Sequence, residues 1–436
     1  MASTYRAYAD KMGATAATDY IGRPGDIFWD QTNGALRVSD GATAGGTLIG
    51  GGGGATAWAT ITDINNAAGP DNIAVGNSAG FTNQGTYGIA LGFGAGDENQ
   101  GIAAISIGYT AGQTTQGGSA IAIGQNAGNT TQGIDAVAIG VQAGLTTQGQ
   151  SSVAIGQDAG QETQGISATA VGQNAGQTTQ GASAVAVGEN AGKSNQGIAA
   201  LAIGADAAVT GQGHSAVAIG SAAGTTAQGS NTVAIGVDAG QTTQGDNAVA
   251  VGSGAGLTTQ GASAVAIGVD SATTTQGAAA IAIGQQAGND TQGLSAIAIG
   301  PLAGRITQGI GGIAIGATAG QTTQGIKAIA VGADAGQINQ GDSAVAIGTF
   351  AGRTNQAANS IVLNATGLSL NNIVEDTFVV KPVRNATMTT ILGYDATTGE
   401  VTHNAAIPGY TNTADLKALV AASTDFADYQ TRIAAL

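Results

Sequence analysis

A glutamine stands at every sixteenth position of this 436-residue chain from Gln84 to Gln356, eighteen times without exception. Gln84, Gln116, Gln132, Gln148, Gln180, Gln244, Gln260 and Gln324 are members of this set. A carboxamide is neither a useful acid nor a nucleophile, but it carries two donors and one accepting oxygen. Its chemistry is therefore hydrogen bonding. If equivalent residues stack about 4.8 Å apart, as neighbouring strands do, the amides link donor to acceptor in a row. The set reads as a structural ladder. A polar stripe for a ligand is the other reading.

Other chemistry-bearing residues are sparse. His214 and His403 are the only histidines, and cysteine is absent. Both histidines read as solvated surface residues, His214 at a variable turn and His403 in a hairpin strand. No Ser-His-Asp set, H-E-x-x-H or Walker loop occurs. The segment GFGAGDENQG at 92–101 has glycines at phosphate-loop spacing but is one more copy of a repeat. Carboxylates at Asp158, Asp206, Asp238, Asp270 and Asp334 share one place in the unit and never fall in successive copies, as repulsion between stacked like charges requires. The expectation is no enzyme, no metal and no cofactor. A paired-carboxylate hydrolase at seams between chains is the enzymatic alternative. Sugar recognition uses aromatic faces, and residues 110–349 contain none. Specific binding is therefore expected at the ends, near Trp29, Trp58, Tyr87 and Tyr109 or near Phe350, Phe378, Tyr394, Tyr410, Phe426 and Tyr429. Each of these also reads as a core residue of an end module.

The elements that position the glutamines follow from the same period. The Gly closing "AIG" or "AVG" recurs every 16 residues from Gly76 to Gly348 without an insertion, in a unit close to G-x-x-A-G-x-T-T-Q-G-x-x-A-V-A-I. Helical-pair repeats need more than about 30 residues, whereas one turn of a β-solenoid fits this length. In "AVAIG" the residues alternate, Val249 and Val251 to one side and Ala248 and Ala250 to the other. The aliphatic pair, which fails only at Thr169, is expected to fill the inside of the coil. The alanine face, interrupted by Ser106, is expected outside, flat enough to pack against sister chains around an axis. Gly236, Gly240 and Gly245 read as corners that need positive φ or close clearance.

Composition narrows the class further. Glycine accounts for 75 residues and charged residues for 9%, against about 25% in ordinary soluble domains. There is no collagen period and there are five prolines. A net charge of -15 disfavours nucleic acid and anionic membranes as partners. No run of about 20 apolar residues is present, so no membrane insertion is expected. The first residues show no secretion signal.

The runs HSAVAIGSAAG at 214–224 and SSVAIGQDAG at 151–160 resemble the head repeats of trimeric autotransporter adhesins. Over residues 72 to about 363 the resemblance implies a left-handed parallel β-roll built from three chains, used in surface attachment. The chain departs from that family in its unvarying step and its TTQG edge. Neither a signal peptide nor hydrophobic membrane-anchor strands are expected from the sequence as read. The ends point elsewhere. GRPGDIFWDQTNGALRVSDGATAGG at 22–46 reads as a hairpin about Asn33-Gly34 and resembles a module of phage tail-fibre and other virion proteins. FVVKPVRN and TTILGYDATTGEVTHN read as strands, the latter a hairpin about Thr398-Gly399, and resemble segments of viral and phage fibres. Leu419, Phe426 and Ile433, with Ala422, Tyr429 and Leu436, form an a/d pattern. That pattern fits a short oligomerising helix, or an amphipathic helix lying on a domain.

The expected organisation is an attachment hairpin module and Gly linker over 1–54 and a lead-in over 55–71. A β-roll shaft over 72–363, a C-terminal β module over 364–408 and a helix over 409–436 complete it. The expected fold class is all-β, a parallel β-solenoid of 16-residue coils, trimeric, with small β end modules. The expected function is that of a bacteriophage fibre or spike in host attachment, made in the host cytoplasm and located on the virion. Its expected partners are copies of itself, other virion proteins at one end and a host receptor. A capsid- or neck-attached fibre without a receptor role and an ice-binding solenoid are the alternatives. The ice-binding alternative is weakened if the two threonines of TTQG point to opposite faces, as adjacent strand residues do.

Overall fold

The structure is a computed structural model, which describes residues 27–30, 35–39, 41–42, 47–48, 71–383, 391–394 and 401–404. Its main body is a parallel β-solenoid in which each 16-residue unit makes one coil. From the third coil on, each coil contributes two short strands, and the first two have isolated bridges in place of the second. The longer strand is the aliphatic triplet, for example Val249–Val251, and the shorter is the glutamine segment, for example Thr243–Gln244. Triplets pair in parallel and in register with the next coil, Val249 with Val265, Ala250 with Ala266 and Val251 with Ile267. Sixteen glutamine segments, from Thr115–Gln116 to Thr354–Gln356, form a second parallel sheet, with Gln244 opposite Gln260.

The corners continue the ladder between the sheets. In one coil Gly236 N donates to Ile219 O at 2.8 Å, Gly240 N to Ala255 O at 2.8 Å and Gly245 N to Gln260 O at 2.8 Å. Most backbone amides thus have a partner in an adjacent coil, and others, such as Ala239 N to Gly236 O at 3.3 Å, close turns within their own coil, which satisfies the requirement on buried polar groups. An inserted residue would leave amides unpaired in its own coil and in both neighbours. That is the physical reason the sixteen-residue step never varies.

The inside of the coil is alanine, which reverses the expectation. Ala248, Ala250 and Ala255 have no solvent exposure, and their equivalents along the shaft behave in the same way. The aliphatic pair lies outside. Second-position residues such as Ile139, Ile235 and Ile267 are 36–38% exposed. The reason is thinness. The two sheets lie back to back, and the glutamine side chain and a tight glycine corner already occupy the space between them. A methyl placed on Gly256 would sit 3.3 Å from the Ala250 Cβ. A methyl group fills the strand centre, where the chain departs from alanine only at Ser106 and Val362. The alanines are therefore not the surface that meets sister chains.

Two irregularities bound this core. Ser106, buried at an alanine position, separates a small cluster of Ala74, Ala79, Ala90 and Ala95 from the long cluster beginning at Ala111. At the far end Val362 replaces the strand alanine, and Leu370 bridges to Ala351 and joins the same cluster. Asn364 stands where the repeat has Gly. Its Nδ2 donates to Thr349 O and Leu368 O, both at 2.7 Å, and its Oδ1 accepts from Thr366 N at 3.1 Å. This side chain turns the chain out of the repeat, and Leu370 closes the alanine core.

Outside the solenoid, Ile27–Asp30 and Ala35–Val38 pair antiparallel, with Thr47–Leu48 alongside. Ile391–Tyr394 and Val401–Asn404 also pair antiparallel, Ile391 opposite Asn404, which puts His403 in a hairpin strand as expected. The Asn33-Gly34 and Thr398-Gly399 turns, the Gly50–Gly54 linker and the helix over 409–436 lie outside the described residues.

Candidate functional site

The glutamine segment explains where each amide goes. In many coils two successive amides point toward the following coil: Thr130 N donates to Leu145 O and Thr131 N to Thr146 O, both at 2.9 Å. Both threonines then face solvent, and the next residue turns inward. The expectation that the threonines would face opposite ways is thereby overturned. The inward residue is the glutamine, 1–3% exposed from Gln100 to Gln356.

Once inside, each amide braces the opposite sheet. Gln244 Nε2 donates to Val233 O at 2.9 Å and to Ala248 O at 3.2 Å. Gln116, Gln132, Gln148, Gln180, Gln260 and Gln324 reach the carbonyl eleven residues earlier at 2.7–2.8 Å. Amide-to-amide bonds are laid over this brace. They run from Gln164 through Gln180 and Gln196 to Gln212, at 3.0 to 3.1 Å. They resume from Gln228 through Gln244 to Gln260, and from Gln276 through Gln324 to Gln356. Gln180, Gln244, Gln260 and Gln324 therefore sit in amide chains. Gln132 and Gln148 are buried on backbone carbonyls, with Oε1 atoms that accept nothing. Gln84, half-buried at the first coil, reaches Ile73 O at 3.4 Å.

Three breaks coincide with a substitution in the repeat. At Gln116 the serine intervenes: Ser106 Oγ donates to Gln116 Oε1 at 2.8 Å, in the place of Gln100. The other two, Gln212 to Gln228 and Gln260 to Gln276, each include a glutamine whose corner glycine is replaced, by Ala208 or Ala272. In glycine coils a Cβ at that corner would lie about 3 Å from the amide, 3.0 Å from Gln244 Oε1 for example. In both alanine coils the brace to the opposite sheet is kept, Gln212 Nε2 to Leu201 O and Gln276 Nε2 to Val265 O at 2.8 Å, and one link along the ladder is missing. That signal is readable in sequence only after the corner is known to touch the amide.

Gln244→Leu keeps the volume and removes the amide. It strips Gln228 of its acceptor and Gln260 of its donor inside a dry core, and is expected to cost about 2–4 kcal/mol. Gln148→Leu breaks no amide chain and is expected to cost about 1–2 kcal/mol. Denaturant midpoints of the two variants, compared in the same buffer, check the order.

A second backbone state of the same segment escaped the sequence reading. At Asn83, Asn99, Asn195, Gly211, Thr307, Thr323, Asn339 and Asn355 the residue before the glutamine has φ between 50° and 68°. Its peptide is flipped: Asn99 N donates back to Thr82 O at 2.9 Å. Asparagine and glycine accept this region, whereas β-branched residues resist it. Thr307 and Thr323 are held there by the stack that leads into Asn339 and Asn355. Thr323→Asn is expected to raise stability by about 0.5–1 kcal/mol. It can also extend the amide contact that Asn339 Nδ2 makes to Asn355 Oδ1 at 2.9 Å. A lowered unfolding temperature for this variant would contradict the strain assignment.

The third-position carboxylates have the same explanation. Asp158, Asp206, Asp238, Asp270 and Asp334 all have φ of 54–58°, at a corner filled elsewhere by Asn, Gly, Gln, Ala, Ser, Thr, Leu and Phe. Asp and Asn tolerate this conformation, so the backbone accommodates the carboxylates, as it does the other side chains found at this corner. Among the described residues no group of three His, Cys, Asp or Glu side chains could hold a metal. His214 is exposed, and its Nδ1 accepts from Ile198 N at 3.0 Å.

The outer faces remain. Each aliphatic triplet from Ile73–Val75 to Val345–Ile347 is free of charge. In register they make two columns of Val, Ile and Leu along the shaft, interrupted only by Thr169. The glutamine sheet shows threonine, in an unbroken exposed row at Thr115, Thr131, Thr147, Thr163 and Thr179. Exposed aromatics stand toward the start of the shaft, where Phe93 and Tyr109 stack with ring centres 5.4 Å apart. No helix among the described residues is long and apolar enough to cross a membrane. No protein-family model and no curated protein sequence matches this chain.

Proposed function

We propose that this chain is the shaft protein of a bacteriophage fibre, a homotrimeric rod on the virion that serves host attachment. The carrying observation is the outward aliphatic column, uncharged and in register over eighteen coils. A contiguous apolar surface of that length is an association surface by ordinary standards. Its repeat also selects the partner. Covering side chains spaced about 4.8 Å apart along roughly 85 Å requires the same coil rise, and a second copy has it. The number three and the attachment role rest on the resemblance to adhesin heads and phage fibre modules. A shaft of glycine corners and alanine core, whose aromatics stand toward its ends, suits mechanical reach.

The test is sedimentation of the purified chain beside the double variant Ile235→Lys and Ile267→Lys. A trimer that the variant converts to folded monomer supports the reading. A monomeric wild type removes it. Labelling phage particles with antibody against the shaft tests the virion location.

A second reading rests on the threonines. Because both threonines of TTQG face solvent, the other sheet carries hydroxyl and methyl groups in register, as an ice-binding face does. Thermal hysteresis of the purified chain, lost in Thr147→Lys, would favour it; none at millimolar concentration would remove it.

A further inference from the structure

Beyond the last regular coil the aliphatic column does not fade but widens. Ile361 N donates to Thr377 O at 2.9 Å, as Val345 N donates to Ser360 O, the residue before its partner Ile361. Phe378 therefore takes the next place in the column. Its neighbour Val379 packs on the alanine core, which fixes the backbone beneath the ring. The turn leading to it is braced by buried Asn372: Nδ2 donates to Thr377 O at 3.2 Å, and Oδ1 accepts from Thr377 Oγ1 at 2.9 Å and Val374 N at 3.3 Å. On this rigid turn Ile373 is 74% exposed, and Val374 and Phe378 are each 59% exposed. These exceed the 36–44% exposure of column residues such as Ile235 and Ile347.

We propose that the turn from Asn372 to Phe378 clamps copies of this chain to one another at the C-terminal end of their seam. The inference rests on the fibre reading above, because its partner is the same second copy. Several observations select that partner. Phe378 prolongs the one surface whose period only another copy matches. The large side chains sit on a braced turn, so little conformational entropy is lost on packing them. Large anchors at one end also fix the axial register, which a column of near-identical rungs leaves free to slip by whole coils. Glu375 and Asp376, exposed on the same turn, repel one another across the contact, so salt strengthens the association.

The experiment uses the full chain. Ile373→Ser, Val374→Ser and Phe378→Ser are combined, with circular dichroism as the check on the fold. The expected result is a dissociation constant raised at least about thirtyfold, the size of a hot-spot loss of 2 kcal/mol, and a weaker wild-type complex at low salt. If the combined variant misfolds, Phe378→Lys is measured against the same threshold. An unchanged dissociation constant, while Ile235→Lys with Ile267→Lys still separates the copies, overturns the clamp and leaves the seam standing. A wild type that never associates overturns both.

Discussion

Ala250→Leu is expected to destabilise the shaft by about 3 kcal/mol or more, the upper range for overpacking a filled core. Ala250 is fully buried. Above and below it stand Ala234 and Ala266 in register, and in front lie the Gly256 corner and the Gln260 amide. The extra carbons of leucine have no direction in which to go. The two sheets cannot separate locally, because every corner amide ties its coil to the next. The chain itself departs from alanine here only twice, at Ser106, whose hydroxyl bonds to Gln116 Oε1, and at Val362, in the last full strand, where Leu370 closes the core. On the outward side Val249→Leu adds one methylene to a half-exposed site and is expected to change stability by less than about 0.5 kcal/mol. Thermal or denaturant unfolding of the two variants measures the asymmetry. Equal effects would mean that the strand faces are wrongly assigned.

Gly252→Ala is expected to cost about 3 kcal/mol or more, since it combines a backbone conformation reserved for glycine with a collision. Its φ is +128°, and an added Cβ would lie 2.7 Å from Gly268 O and 2.8 Å from Gly268 C. The atoms it meets are backbone, and Gly268 N is already bonded to Val251 O at 2.8 Å. Relief would require moving the ladder itself. Gly118→Ala is the control. That glycine has no positive φ, and its Cβ would meet only Ile102 O at 3.5 Å, in a column where the chain elsewhere carries Ile134 and Ile166. It is expected to be neutral. Unfolding midpoints of both variants decide the matter, and a mild Gly252→Ala would contradict the corner geometry.

The architecture was legible because the period is. Sixteen residues without insertion, alternation in "AVAIG" and glycines at fixed corners specify a β-solenoid whatever fills it. The column of Gln180, Gln244 and Gln324 was also legible, since one residue at one height must stack on itself. What the pattern left open was the side of the sheet that faces inward. Alternation gives two faces and no sign, and the usual rule that larger aliphatics go inside chose wrongly. The rule fails here because a coil with two back-to-back sheets and a buried glutamine leaves room only for methyl groups. The flipped peptide at Asn99, Asn339 and Asn355 was likewise invisible, although its signal was present: Asn or Gly in place of the second threonine.

The inward alanine is tested most directly by thiol reactivity, since the natural chain has no cysteine. Ala266→Cys and Thr259→Cys are labelled at a dilution that separates copies of the chain. Thr259→Cys should react as an exposed thiol, and Ala266→Cys should stay protected until the shaft unfolds. Labelling of Ala266→Cys at the rate of Thr259→Cys would place the alanines outside and contradict the packing.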